Sequence, residues 1–203
     1  MYLGGLCFIT DQKVSVLSYE DMTRRVITSG ARWVQFREKE KSKRKIYGEA
    51  IRLRRLTTDY NAVLIINDFP DIALCVDAEG VHLGQDDLPL KEARKIVGRN
   101  RIIGISTHSL EQAIEAEKNG ADYIGFGPVF PTSTKDAGKP KGIEMLREVK
   151  GHVRIPVVAI GGINLKNVMS VLQTGVDAIA VASAILQGDV EENARRFMDY
   201  LKG

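Results

Sequence analysis

Short apolar runs rich in β-branched residues recur along the whole chain, separated by stretches whose apolar residues return every three or four positions. The runs are LCFIT, WVQFR, VLIIN, GVHL, IIGIS, YIGFG, VVAI and AIAV, and each reads as a buried strand. Between them, residues 19–30, 43–60, 90–98, 110–120, 142–151, 165–175 and 190–203 are among the stretches that read as amphipathic helices. Gly30, Gly98, Gly120, Gly151 and Gly175 stand where helix C-caps are expected. Eight strand-and-helix units predict a (β/α)8 TIM barrel, an α/β fold formed as one compact domain over residues 1–203. An open doubly wound sheet has the same alternation, which does not by itself say whether the sheet closes. GADYIGFG and GVDAIAV share a Gly-x-Asp lead into an apolar strand, a trace of repeated units.

Composition narrows the function classes. With 44% hydrophobic and 27% charged residues the chain reads as globular rather than disordered. A net charge of +3, without a basic stripe interleaved with aromatics, argues against a nucleic-acid partner. No run approaches the roughly 20 apolar residues of a membrane span, and MYLGGLCFIT has no charged leader, so a cytoplasmic protein without a membrane partner is expected. Cys7 and Cys75 lie far apart and are expected to be free, buried thiols in a reducing compartment. Oligomeric state is left open.

In a barrel, residues just beyond the C-terminal ends of the strands converge on one mouth. Here those positions are mostly polar or glycine: Thr10 and Asp11, Gln35 to Lys39, Asn67 and Asp68, Gln85 to Asp87, Ser106 to His108, Gly161 and Gly162, Ala182 and Ser183. Period-two alternation puts Gln35 and Arg37 on one strand face, opposite Val34 and Phe36, and Lys39 continues the row. Arg37 offers a planar fork and Lys39 a point charge, which together suit the oxygens of a phosphate group. Lys41, Lys43, Arg44 and Lys45 read as a solvated charge run. Asp68 and Asp87, at neighbouring strand ends, can share Mg²⁺, although either also suits a helix cap. Gly161 and Gly162, followed by Ser183 at the start of a short helix, fit the phosphate site often found after strands 7 and 8. Ser106 beside His108 reads as a substrate contact. His82 also lies near a strand end and His152 in a polar loop, and no His/Cys spacing matches a zinc site.

Together VQFREK, IINDF, GVHLGQDD, GISTH, GFGPVFPTSTK, VVAIGGI and AVASAI, in order from about residue 8 to residue 185, resemble the thiamine-phosphate synthase family. That resemblance implies a (β/α)8 barrel that is a transferase of alkyl groups, joining a hydroxymethylpyrimidine diphosphate to a thiazole phosphate with Mg²⁺ and releasing pyrophosphate. It implies that Gln35, Phe36, Arg37, Glu38 and Lys39 bind the pyrimidine diphosphate, with Asn67 and Lys135 adding diphosphate contacts and Ser106 touching the pyrimidine. Asp68 and Asp87 would hold Mg²⁺. Thr132, Ser133 and Thr134 would bind the thiazole phosphate, with Gly162, Ala182 and Ser183 around its phosphate. Arg37, Lys39, Ser106 and Lys135 would carry the catalysis, with 132–142 expected to close over the mouth as substrates bind. Two alternatives stand beside this: a related thiazole tautomerase, disfavoured by Gly127-Pro128 where that enzyme is linked with a histidine, and a non-catalytic binder of thiamine-pathway phosphates.

Overall fold

A computed structural model describes residues 3–132 and 138–202. The strands β1 (Gly5–Ile9), β2 (Trp33–Phe36), β3 (Val63–Asn67), β4 (Gly80–Leu83), β5 (Ile102–Thr107), β6 (Tyr123–Phe126), β7 (Val157–Ile160) and β8 (Ala178–Val181) are all parallel. Their order is sequential, and β8 pairs back onto β1, Ala178 opposite Gly5 and Val181 opposite Phe8, so the sheet closes into the expected barrel. Around it run α1 (Tyr19–Thr28), α2 (Lys43–Asp59), α3 (Pro70–Cys75), α4 (Leu90–Val97), α5 (Leu110–Lys118), α6 (Gly142–His152), α7 (Val168–Leu172), α8 (Ser183–Leu186) and α9 (Val190–Lys202). Among the described residues no helix is long and apolar enough to cross a membrane.

Strand alternation divides the core in two. One set, including Phe8, Val34, Phe36, Leu64, Ile66, Val81, Ile103 and Ile124, packs outward against the helices. The other, Cys7, Ile9, Trp33, Ile65, Tyr123, Val158, Ala178 and Ala180, fills the barrel interior. Local signals start the helices: the Ser18 hydroxyl accepts the Asp21 N–H at 3.0 Å to cap α1, and Ser109 accepts that of Gln112 at 3.3 Å to cap α5.

The repeated Gly-x-Asp lead has a structural counterpart. The Asp122 carboxylate, just before β6, accepts the N–H of Ile103 in β5 at 2.7 Å and pairs with Arg94 of α4 at 2.6 Å. Asp177, just before β8, accepts the N–H of Val157 in β7 at 2.7 Å and pairs with Lys150 of α6 at 2.6 Å. Glu79, just before β4, does the same for Leu64 of β3 at 2.8 Å and for Arg54 of α2 at 2.5 Å. Each carboxylate thus supplies an acceptor for a strand's early N–H at the end of the barrel remote from the mouth.

Three local expectations are corrected. Gly151 lies inside α6, which runs on to His152, so it caps nothing. The helix expected over 165–175 is the shorter Val168–Leu172, because 165–167 form turns that bring Asn167 Oδ1 to the N–H of Asn164 at 2.8 Å. Cys7 is buried but Cys75 is exposed, on the outer side of α3; both are free.

Candidate active site at the mouth of the barrel

The mouth holds two adjoining hollows. One is lined by Lys39, Asn67, Asp68 and Asp87, the other by Ile160, Gly162, Ile163, Ala182 and Ser183, and Arg37, Ser106 and His108 border both. The arrangement follows from strand parity: Gln35, Asn67, His82 and Ser106 stand on the inward faces of successive strands, and Arg37 continues the inward row of β2.

The Arg37 backbone is fastened across the β1–β2 junction, its N–H donating to the Thr10 hydroxyl at 3.0 Å. Its guanidinium lies 3.9 Å from the carboxylate of Asp11, a residue only 4% exposed whose Oδ2 has no hydrogen-bond partner among the described residues. Lys39 reaches across to Asp68, Nζ to Oδ2 at 2.8 Å. Asp68 takes the left-handed conformation, φ 67°, which aspartate tolerates better than most residues, and its N–H donates to the His82 carbonyl at 2.8 Å. Burial pushes the Asp68 carboxyl above its usual value; Lys39 opposes this and the neighbouring Asp87 carboxylate adds to it. Asp87 Oδ2 in turn accepts the Gly84 N–H at 2.7 Å, so it closes its own loop rather than capping a helix.

Across the mouth, Gly161 and Gly162 have φ values of 97° and 65°. A Cβ at Gly162 would stand 2.7 Å from Cβ of Phe130 and overlap the Pro131 carbonyl, so glycine is required by conformation and by space. Thr132 and Ser183 flank this bend. The His108 ring pairs with the Gly127 carbonyl through Nδ1 at 2.6 Å.

Several expected site residues take other places. Phe36 is on the outward face of β2, 1% exposed, its ring meeting Tyr19 of α1 edge to face at 4.9 Å, so its side chain does not reach the mouth. Glu38 turns onto its own loop: its carboxylate accepts the Tyr19 hydroxyl at 2.7 Å and the N–H groups of Glu40 and Lys41 at 2.6 and 3.2 Å. Burial alone would raise the Glu38 carboxyl, but the hydrogen bonds from Glu40, Tyr19 and Lys41 outweigh it and hold the group below its usual value. Ser133, Thr134 and Lys135 lie outside the described residues, as does the 133–137 part of the segment expected to close. The far side of that segment is anchored where the Lys141 N–H donates to the Pro128 carbonyl at 2.8 Å.

Sequence pattern alone gives no role to Tyr123, Asp11 or His82. His82 alternates with the outward Val81 and Leu83, and that parity was the available signal that it points into the barrel.

A family model described as thiamine monophosphate synthase matches residues 6–185. The chain is 45% identical to a thiamine-phosphate synthase of Clostridium acetobutylicum over 201 residues, 97% of this chain and 94% of that protein. It is 52% identical to one from Shouchella clausii over 167 residues, 82% and 80% of the two chains. Its fold superposes on a solved thiamine phosphate pyrophosphorylase from Pyrococcus furiosus with a TM-score of 0.90 at 42% identity, covering 98% and 97% of the two.

Proposed function

The chain belongs to the thiamine-phosphate synthase family, and on that premise we propose that its mouth joins 4-amino-2-methyl-5-(diphosphooxymethyl)pyrimidine to a thiazole phosphate, releasing pyrophosphate. The observation that carries this reading is the pair of adjoining hollows sharing Arg37 and Ser106, one rich in cations and carboxylates and the other bounded by a glycine bend. A diphosphate suits the first, a thiazole phosphate the second, and the reacting carbon then falls at the shared border.

The chemistry is a dissociative alkyl transfer. The carbon–oxygen bond to the diphosphate breaks with its electron pair leaving on pyrophosphate, the electron-rich aminopyrimidine carries the resulting cation, and the thiazole nitrogen lone pair forms the new carbon–nitrogen bond. Neither step needs a proton to be removed, so the reaction requires no general base. Arg37 and Lys39 stabilise the charge that develops on the leaving group, and Lys135 is assigned the same task by the family likeness. Gln35 and Ser106 orient the pyrimidine, and Asn67 adds a diphosphate contact. Thr132, Ser133 and Thr134, with Gly162, Ala182 and Ser183, take the thiazole phosphate.

Asp68 and Asp87 are the residues that would hold Mg²⁺. Their mutual repulsion in a half-buried setting, and the ammonium of Lys39 already drawn to one of them, are what a cation-seeking carboxylate pair looks like. Among the described residues no third carboxylate or histidine joins them, which suits an ion that completes its shell with water and phosphate oxygens. When bound, Mg²⁺ neutralises diphosphate charge. Two unpaired thiols agree with a cytoplasmic setting.

The test is to incubate purified protein with both substrates and Mg²⁺ and to detect thiamine phosphate by mass together with pyrophosphate. Asp68→Asn and Asp87→Asn are expected to raise the Mg²⁺ requirement at unchanged melting temperature. Absence of product while a thiazole tautomerisation proceeds would overturn the assignment.

A further inference from the structure

Asp11, two residues beyond β1, is a buried carboxylate with one oxygen in use and one idle. Oδ1 accepts the Lys13 N–H at 2.9 Å. Oδ2 has no hydrogen-bond partner among the described residues, although solvent does not reach it. An unsatisfied buried acceptor is costly, and a folded protein that keeps one needs a reason for it. The group facing that oxygen is Arg37 Nη1, 3.9 Å away. At this separation the charges still attract, but the hydrogen bond, which forms at about 2.7–2.9 Å, is not made. An advance of roughly 1 Å by the guanidinium would make it.

The two residues are tied together from behind. The Thr10 N–H donates to the Gln35 carbonyl at 3.0 Å, and the Arg37 N–H donates to the Thr10 hydroxyl at 3.0 Å. The backbones of Asp11 and Arg37 are thus held by one junction, and the long Arg37 side chain is the part that can move. Other cations nearby are engaged elsewhere: Lys13 pairs with Glu40 at 2.5 Å, and Lys41 with the Gln12 amide oxygen at 2.7 Å. Arg37 borders both hollows of the mouth, whereas Asp11 borders only the one with the glycine bend. The guanidinium therefore stands between a protein carboxylate and the place of the diphosphate.

We propose that Asp11 is a positioning residue that draws the Arg37 guanidinium back from a bound diphosphate, so that pyrophosphate is released once it has formed. The inference rests on the function proposed above, which puts pyrophosphate beside Arg37.

While the anion is bound, the Arg37 fork faces it and Asp11 Oδ2 stays unpaired. As the anion departs, the guanidinium moves back and the idle oxygen gains its donor. Satisfying Oδ2 stabilises the mouth without the anion, so pyrophosphate is held less tightly than Arg37 alone would hold it. The sign separates this role from a structural one. If Asp11 only fixed the shape of the mouth, its loss would loosen Arg37 and weaken anion binding; as a competitor for the guanidinium, its loss strengthens it.

The probe is inorganic pyrophosphate with Mg²⁺, titrated onto the full chain by calorimetry at about 0.15 M salt, where exposed charges are largely screened. Asp11→Asn is expected to bind it about tenfold more tightly than wild type, through slower release. In the Arg37→Lys background the same substitution should change affinity by less than about threefold, because the effect passes through the fork. Glu40→Gln, which removes an exposed negative charge from the same rim, should leave affinity within about twofold. Asp11→Ser is measured beside Asp11→Asn and should shift affinity in the same direction. Weaker or unchanged binding in a folded Asp11 variant would overturn the proposal, as would equal tightening in the Arg37→Lys background. Failure of both Asp11 variants to fold would mark the carboxylate as structural and overturn it too. A wild type that binds no pyrophosphate would refute the proposed reaction together with this inference, whereas pyrophosphate bound equally by wild type and Asp11→Asn would refute this inference alone.

Discussion

Replacing Arg37 by lysine keeps the charge and removes the fork, which separates what the guanidinium does for a ligand from what it does for the fold. Its side chain is 19% exposed, lies 3.9 Å from the Asp11 carboxylate without hydrogen-bonding it, and points into the hollow that Lys39 and Asp68 share. A diphosphate would therefore meet a donor pair whose protons are not already committed to Asp11. Lysine can replace one of two parallel hydrogen bonds, and a bond to a charged group is worth about 1.5–3 kcal/mol. The KM for the pyrimidine diphosphate should rise roughly 10- to 150-fold, at about tenfold per 1.4 kcal/mol, while that for the thiazole phosphate stays within about threefold. Folding stability of the lysine variant should move by less than about 1 kcal/mol, because a cation remains near Asp11. Arg37→Ala is different, since it strands a 4%-exposed carboxylate. Removing one member of a buried pair costs about 3–5 kcal/mol, and this looser, partly exposed pair should lose about 1–3 kcal/mol. The assay is steady-state kinetics with each substrate varied in turn, alongside urea melts of both variants. An equal rise in both KM values, or a lysine variant as unstable as the alanine one, would refute the reasoning.

Three further outcomes are expected. Gly162→Ala forces a side chain into a φ of 65° and against the Pro131 carbonyl, so stability should fall by about 1–3 kcal/mol in chemical denaturation and the thiazole phosphate KM should rise more than that of the pyrimidine substrate. Glu38 has a folded-state pKa below its usual 4.5, so its contribution is present above that value and lost as pH falls through the lower folded one. The stability gap between wild type and Glu38→Gln, measured by melts across this acid range, should therefore narrow toward low pH. Asp177→Ala leaves the Val157 N–H and Lys150 without their carboxylate, and thermal melting should report a loss of about 1–3 kcal/mol with kinetics unchanged, because the residue is remote from the mouth.

Much of this protein was already decided in one dimension. Strand and helix periods are local, since an apolar run such as VLIIN or an amphipathic stretch such as 190–203 needs no distant partner to be recognised. The direction of Arg37 was equally local, because period two ties it to Gln35 and sets it against Phe36. The same parity shows why Phe36 could not share the task of its neighbours, a point that membership of the QFREK run had obscured. What the sequence did not carry was anything that depends on register. Closure rests on Gly5 lying level with Ala178, a pairing across nearly the whole chain. Glu38 turned inward onto its loop because Tyr19, from α1, arrived with a hydroxyl at 2.7 Å. Tyr123 meets His82 only because Gly104 falls level with both and leaves its space to the Tyr123 ring, and a glycine in a strand has no pattern that says which neighbour will fill its space. Periodicity is a property of one strand, whereas hydrogen-bond partners and vacated volume belong to pairs of strands, so only the closed barrel could decide them.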